Sequence, residues 1–125
     1  AEGSNYEAMM AAGYYHLNNL CATIDLNGLQ ISGTTDDVMS SSSLAEKFKA
    51  FHWNVIEVED GNNCQLLKAA YEAAKKCLDK PTLVLAHTTK GKGVSYMENA
   101  ASWHHGVMTE EQYNQAVEEI EKVLA

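Results

Sequence analysis

Leu20-Cys-Ala-Thr-Ile-Asp-Leu-Asn-Gly-Leu-Gln-Ile-Ser-Gly33 is an apolar run that breaks off at Asp25, Asn27 and Gly28. Cys21 to Ile24 has the composition of a short buried strand, and the polar residues after it form its tip. In open α/β sheets ligands bind beyond the carboxyl ends of strands. Asn beside Gly can turn side-chain and backbone oxygens toward one point, an arrangement that suits a hard cation carrying a phosphate. The same dipeptide also serves as a plain turn after a strand. Both readings stand on the local pattern alone.

Outward from this stretch, helix and strand signals alternate. Toward the start, Tyr6, Met9, Met10, Gly13, Tyr14 and Leu17 recur at helical spacing, with Ser4 or Asn5 as the expected cap and Gly13 allowing close approach to a neighbour. Toward the end, Thr34 to Ser42 reads as a polar loop. Ser43-Leu-Ala-Glu46 has the form of a capping box ahead of Leu44, Phe48 and Phe51. Asn54 to Glu59 reads as a strand bounded by Asp60-Gly61. Asn63 opens a long helix with a face of Leu67, Tyr71, Ala74 and Leu78, ended by Pro81. Thr82-Leu-Val-Leu-Ala-His-Thr88 is the strongest strand. Thr109-Glu-Glu-Gln112 is a second capping box, and Tyr113, Val117, Ile120 and Leu124 form an apolar stripe on the closing helix. This order predicts an α/β fold, a three-layer parallel sheet with helices on both faces.

The chain has 125 residues with 9 basic and 17 acidic side chains, a formal charge of −8. One domain, or part of one, fits that length. The acidic balance argues against a nucleic-acid partner, because neutralising phosphates needs clustered lysine and arginine. No apolar run is long enough for a helix to span a bilayer, and no leader pattern opens the chain. Cys21, Cys64 and Cys77 are an odd set without C-x-x-C spacing, which fits reduced thiols and a cytoplasmic location. A Rossmann-type nucleotide site is disfavoured, since no G-x-G-x-x-G follows a strand.

Three motifs occur together: Glu2-Gly-Ser-Asn-Tyr-Glu7-Ala8, then Asp25-Leu-Asn27-Gly-Leu-Gln-Ile-Ser-Gly33, then Lys90-Gly-Lys-Gly93 with Met97-Glu-Asn-Ala-Ala-Ser-Trp-His104. In order and approximate spacing they resemble the thiamine diphosphate-binding domain of transketolases, above all the amino-terminal subunit of two-subunit bacterial forms. The resemblance runs along nearly the whole chain, so residues 1–125 are expected to be part of a single such domain. It implies transfer of a two-carbon ketol unit from a ketose phosphate to an aldose phosphate, with thiamine diphosphate and Mg²⁺. It also implies a second subunit carrying the pyrimidine-binding domain and a dimer of heterodimers.

By the same resemblance, the side-chain oxygen of Asn27 and the backbone carbonyl of Leu29 are metal ligands, and Ile31 packs beside the thiazolium ring. Lys90 reaches the diphosphate, with Lys92 a weaker candidate. His104 contacts cofactor and substrate and can move a proton near neutral pH. The family motif continues with Gly after this His, whereas His105 intervenes here before Gly106, so a one-residue slip selects His105. Glu2 and Glu7 are implied to lie between paired active sites. Asp25 is assigned to closing the strand end through nearby backbone amides. His16, His52 and His87 are assigned to the surface or to caps.

The family also uses an Asp from a Gly-Asp-Gly turn ahead of the Glu2 position, which this chain does not contain. The fold expected is therefore an incomplete cofactor domain, inactive alone. Two rivals stay open, another enzyme with this cofactor domain such as deoxyxylulose-phosphate synthase or dihydroxyacetone synthase, and a catalytically incompetent domain acting only by subunit association.

Overall fold

The run Thr82–His87 forms the central strand of the sheet because both of its faces must be covered. Leu83 and Leu85 point to one side and Val84 to the other, and all three are buried. The computed structural model describes residues 2–124, with side chains through Val123. Its elements are helix α1 (Gly3–Tyr14), strands β1 (Cys21–Leu26), β2 (Leu29–Gln30) and β3 (Gly33–Thr34), helices α2 (Thr35–Met39) and α3 (Leu44–Ala50), strand β4 (Asn54–Val58), helix α4 (Cys64–Ala74), strand β5 (Thr82–His87), a 3₁₀ turn (Ala101–His104) and helix α5 (Glu110–Leu124).

The main sheet has the order β1-β5-β4, and both pairings are parallel. On one face Met9 and Ala12 of α1 and Phe48 of α3 pack with Trp53, Leu83 and Leu85. On the other, Ala70 of α4 packs with Val58 and Val84. The expected three layers are therefore present. Gly13 has the close approach its position suggested, since a Cβ there would lie 1.8 Å from the Phe51 carbonyl oxygen. The Trp53 indole N–H donates to the Met9 carbonyl at 2.9 Å and fixes α1 against the same layer.

Several local expectations are corrected. β1 is an edge strand rather than a buried one, with Cys21, Thr23 and Asp25 exposed, because among the described residues only β5 pairs with it. Thr34 to Ser42 contains β3's end and α2 rather than loop alone. The Thr34 hydroxyl accepts from the Asp37 amide at 3.1 Å, and Asp36 and Asp37 suit the positive end of that helix. α1 starts after Glu2 without a side-chain cap, so neither Ser4 nor Asn5 caps it. α3 starts at the expected place, but Glu46 turns to Lys49 at 2.8 Å instead of closing a capping box with Ser43.

α4 is capped by Asn63, whose side chain accepts from Gln65 and Leu66, but it ends at Ala74, well short of Pro81. Leu78 falls outside it and is exposed, and Tyr71 is half open to solvent. The Thr109 box forms in full: the Thr109 hydroxyl accepts from the Gln112 amide, and the Gln112 side chain accepts from the Thr109 amide. The apolar stripe it introduces is not what packs, since Tyr113 and Ile120 are exposed and Ala116 is the buried position. The side chain of Leu124 lies outside the described residues.

Candidate functional site

β1, β4 and β5 all end at one edge of the sheet, and backbone and side-chain hydrogen bonds tie those ends together. Thr88 donates its amide to the Leu26 carbonyl at 3.3 Å, and Gly61 donates to the His87 carbonyl at 2.7 Å. Asn62 accepts from the Thr89 amide at 2.7 Å. Asp25 accepts a hydrogen bond from the Thr88 hydroxyl, so it closes the strand end through a side chain and not through backbone amides.

From this edge rises the Asn27–Gly28–Leu29 tip. The Asn27 Oδ1 accepts from the Leu29 amide at 2.9 Å, which fixes the amide plane and leaves a second lone pair. Gly28 takes φ +72°, a backbone that favours glycine, and nothing lies within 4 Å of where a Cβ would stand. Its carbonyl accepts from the Thr35 amide at 2.9 Å. The chain then makes the short antiparallel hairpin of β2 and β3. Ile31 sits at its turn, 59 % exposed. Beside the tip is a cleft of about 420 Å³ whose lining includes Asn27, Gly28, Asp36, His87 and Thr88.

The second tip follows β5. The Lys90 carbonyl accepts from the Asn99 amide at 2.9 Å, closing residues 90–99 into a loop. Gly91 takes φ +74°, and a Cβ there would lie 2.4 Å from the Met97 carbonyl oxygen. The Gly93 amide donates to Glu98 at 3.0 Å, and Lys92 pairs with the same oxygen at 3.4 Å. These contacts, the Gly93 amide first, hold the Glu98 carboxyl below the usual range. That amide and Lys92 thus serve the loop itself. Among the described residues the Lys90 ammonium makes no ion pair or hydrogen bond.

Trp103 anchors the segment that carries the histidines. Its indole N–H donates to the Tyr96 carbonyl at 2.9 Å, its ring lies 5.2 Å from that of Tyr96, and Gly106 packs beneath it. His104 ends the 3₁₀ turn, which lies against β2, and His105 follows with its ring edge-on 4.6 Å away. Both are exposed.

Asn27, Leu29, Lys90 and the two histidines therefore share one end of the sheet. Glu2 precedes α1 and borders a separate groove of about 510 Å³ with Thr23, Ile24 and Ser41, while Glu7 is exposed further along α1. His16 and His52 follow α1 and α3 in the left-handed conformation, at φ 51° and 64°, away from this edge. His87, expected at the surface, also borders the cleft. Its position at the end of the central strand, in register with Leu26, is the signal that places it there.

Residues 1–121 match the family described as transketolase, thiamine diphosphate binding domain, and the chain belongs to that family. It is 51 % identical over 119 residues to one of the subunits of the apulose-4-phosphate transketolase of Phocaeicola vulgatus, covering 95 % of this chain and 42 % of that protein. It is 40 % identical to the 6-deoxy-6-sulfo-D-fructose transketolase subunit SqwG of a Clostridium species, covering 97 % of this chain and 44 % of that one. The crystal structure of transketolase from Campylobacter jejuni superposes with a TM-score of 0.86 at 31 % identity, covering 95 % of this chain and 18 % of the other. The chain thus spans less than half the length of these curated relatives. No helix among the described residues is long and apolar enough to cross a membrane.

Proposed function

We propose that residues 1–125 are part of the cofactor domain of a transketolase subunit, and that the complete protein moves a two-carbon ketol unit from a ketose phosphate to an aldose phosphate. The observation that carries this reading is the meeting of the Asn27–Leu29 tip with the Trp103–His104 turn at the carboxyl edge of a parallel sheet. A donor with an anionic terminal group is supported by the relatives named for apulose 4-phosphate and 6-deoxy-6-sulfo-D-fructose. When bound, thiamine diphosphate supplies the nucleophilic carbon and the electron sink for this transfer.

The residues present suit that group and its Mg²⁺. The amide oxygen of Asn27 and the carbonyl of Leu29 are hard, neutral donors. The open space over Gly28 leaves room for a cation beside them. Lys90 is assigned to the diphosphate as a point charge, and Ile31 to an apolar wall beside the thiazolium ring. His104, with His105 as the alternative, donates a hydrogen bond and relays a proton to the substrate oxygens. Glu2 and Glu7 are assigned to the interface between paired sites. The partner is a subunit with the pyrimidine-binding domain, assembled as a dimer of heterodimers in the cytoplasm.

Replacing Asn27 with Ala in the complete protein tests the metal placement. Mg²⁺-dependent cofactor affinity, measured by calorimetric titration, is expected to drop by about 100-fold while the far-ultraviolet circular dichroism stays the same. Unchanged affinity rejects the assignment. His104→Ala is expected to slow turnover more than His105→Ala, and the reverse order moves the role by one residue.

A further inference from the structure

The closing helix meets the rest of the chain through a polar face that the transketolase reading does not use. Gln112, Gln115 and Glu119 stand at helical spacing on one side of α5. The Ser95 amide donates to one carboxylate oxygen of Glu119 at 2.6 Å, and the Ser95 hydroxyl donates to the other at 2.7 Å. Gln115 donates to Glu119 at 2.7 Å and to the Ser95 hydroxyl oxygen at 3.4 Å. One turn and more away, the Tyr96 hydroxyl donates to the Gln112 carbonyl at 2.7 Å. Among the described residues, every hydrogen bond from α5 to the chain beyond its own cap ends on Ser95 or Tyr96.

Ser95 lies at the apex of the loop whose base is the Lys90–Asn99 hydrogen bond, and the Tyr96 carbonyl holds the Trp103 indole. The apex therefore links Glu119 to the loop that begins at Lys90. A carboxylate accepting from a backbone amide and two side chains is a strong, directional tether.

We propose that Glu119 is a positioning residue of the cofactor site, pinning the apex of the 90–99 loop to α5 and so holding Lys90 in place. The role of Lys90 within this inference rests on the transketolase reading, whereas the tether itself does not. Glu119 touches no reacting group and acts only through the loop.

The test is a double-mutant cycle in the complete natural protein, with any partner chain it requires, reading thiamine diphosphate affinity by calorimetry. Glu119→Ala is expected to weaken binding about tenfold, the size of losing a charge-assisted hydrogen bond. In a Lys90→Ala background it is expected to add less than about twofold, because both changes act through one group. Glu119→Gln keeps the length and one acceptor oxygen and is expected to recover part of the loss. Without cofactor, hydrogen exchange at the Ser95 amide is expected to accelerate in Glu119→Ala while Leu83 to Ala86 keep their protection. A Lys90→Ala effect to which Glu119→Ala simply adds overturns the positioning role alone. No effect of Lys90→Ala overturns the transketolase assignment of that lysine and the positioning role together. Unchanged exchange at Ser95 overturns the tether itself.

Discussion

The two tips at the carboxyl edge of the sheet are built on opposite plans. The first, residues 27–34, is held by the Asn27–Leu29 contact, the Gly28–Thr35 hydrogen bond and a two-residue ladder, and Ile31 stands largely in solvent. The second, residues 90–106, is laced by Glu98, Tyr96, Trp103 and the Ser95–Glu119 contacts, and Val94 is buried within it. Ordering groups before a ligand arrives removes part of the cost of binding. The second tip has met that cost within the fold, while the first leaves its oxygens open. One tip braced from within and one held by few contacts is the consequence.

A matched pair of glycine substitutions breaks this comparison most sharply. Gly91 and Gly28 share nearly the same backbone angle, yet only Gly91 is crowded. Gly91→Ala adds overpacking against the Met97 carbonyl to the left-handed cost, and a loss of about 3 kcal/mol is expected in urea unfolding. Gly28→Ala meets open space, so only the conformational cost of about 1 to 2 kcal/mol is expected. Equal losses at the two positions would mean that the tips are packed alike. Tyr96→Phe removes the hydroxyl bond to the Gln112 carbonyl and is expected to cost about 1 kcal/mol by the same measurement, with no change at the first tip.

The smallest effect is in acid. The Ser95 amide above all, then Gln115 and the Ser95 hydroxyl, hold the Glu119 carboxyl down to about 2, against an ordinary value of 4.5. A lowered folded-state value means that the stabilisation is complete above the ordinary carboxylate range and fades as the pH falls toward 2. The difference in Tm between the natural chain and Glu119→Gln is therefore expected to be constant above that range and to close on acidification. A gap undiminished at pH 2 would show that the charge contributes nothing.

Periodicity makes the central strand legible, because an unbroken apolar run bounded by Pro81 has few places to go except the middle of a parallel sheet. The close approach at Gly13 and the Thr109 capping box are equally plain, each set by a handful of neighbouring residues. β1 is legible as a strand but not as an edge, since pairing depends on residues far away in the chain. The stripe Tyr113, Val117 and Ile120 satisfies the helical period, yet the face that docks α5 sets the small Ala116 among Gln112, Gln115 and Glu119. Periodicity identifies a face but not what it meets. At the site, Asn27 and the histidines stand out by motif, and the structure places their segments at one edge. Glu119 carries no local signal, because its partner Ser95 lies 24 residues away.

The two tryptophans divide the molecule between them. Trp53 is sealed in the core and bonded to the Met9 carbonyl, and Trp103 stands half-buried on the laced tip. Their fluorescence consequently reports separate events: removing one indole leaves an emission that follows the sheet and its helices, and removing the other leaves one that follows the site. Trp53→Phe turns the chain into its own optical gauge of the carboxyl edge of the sheet.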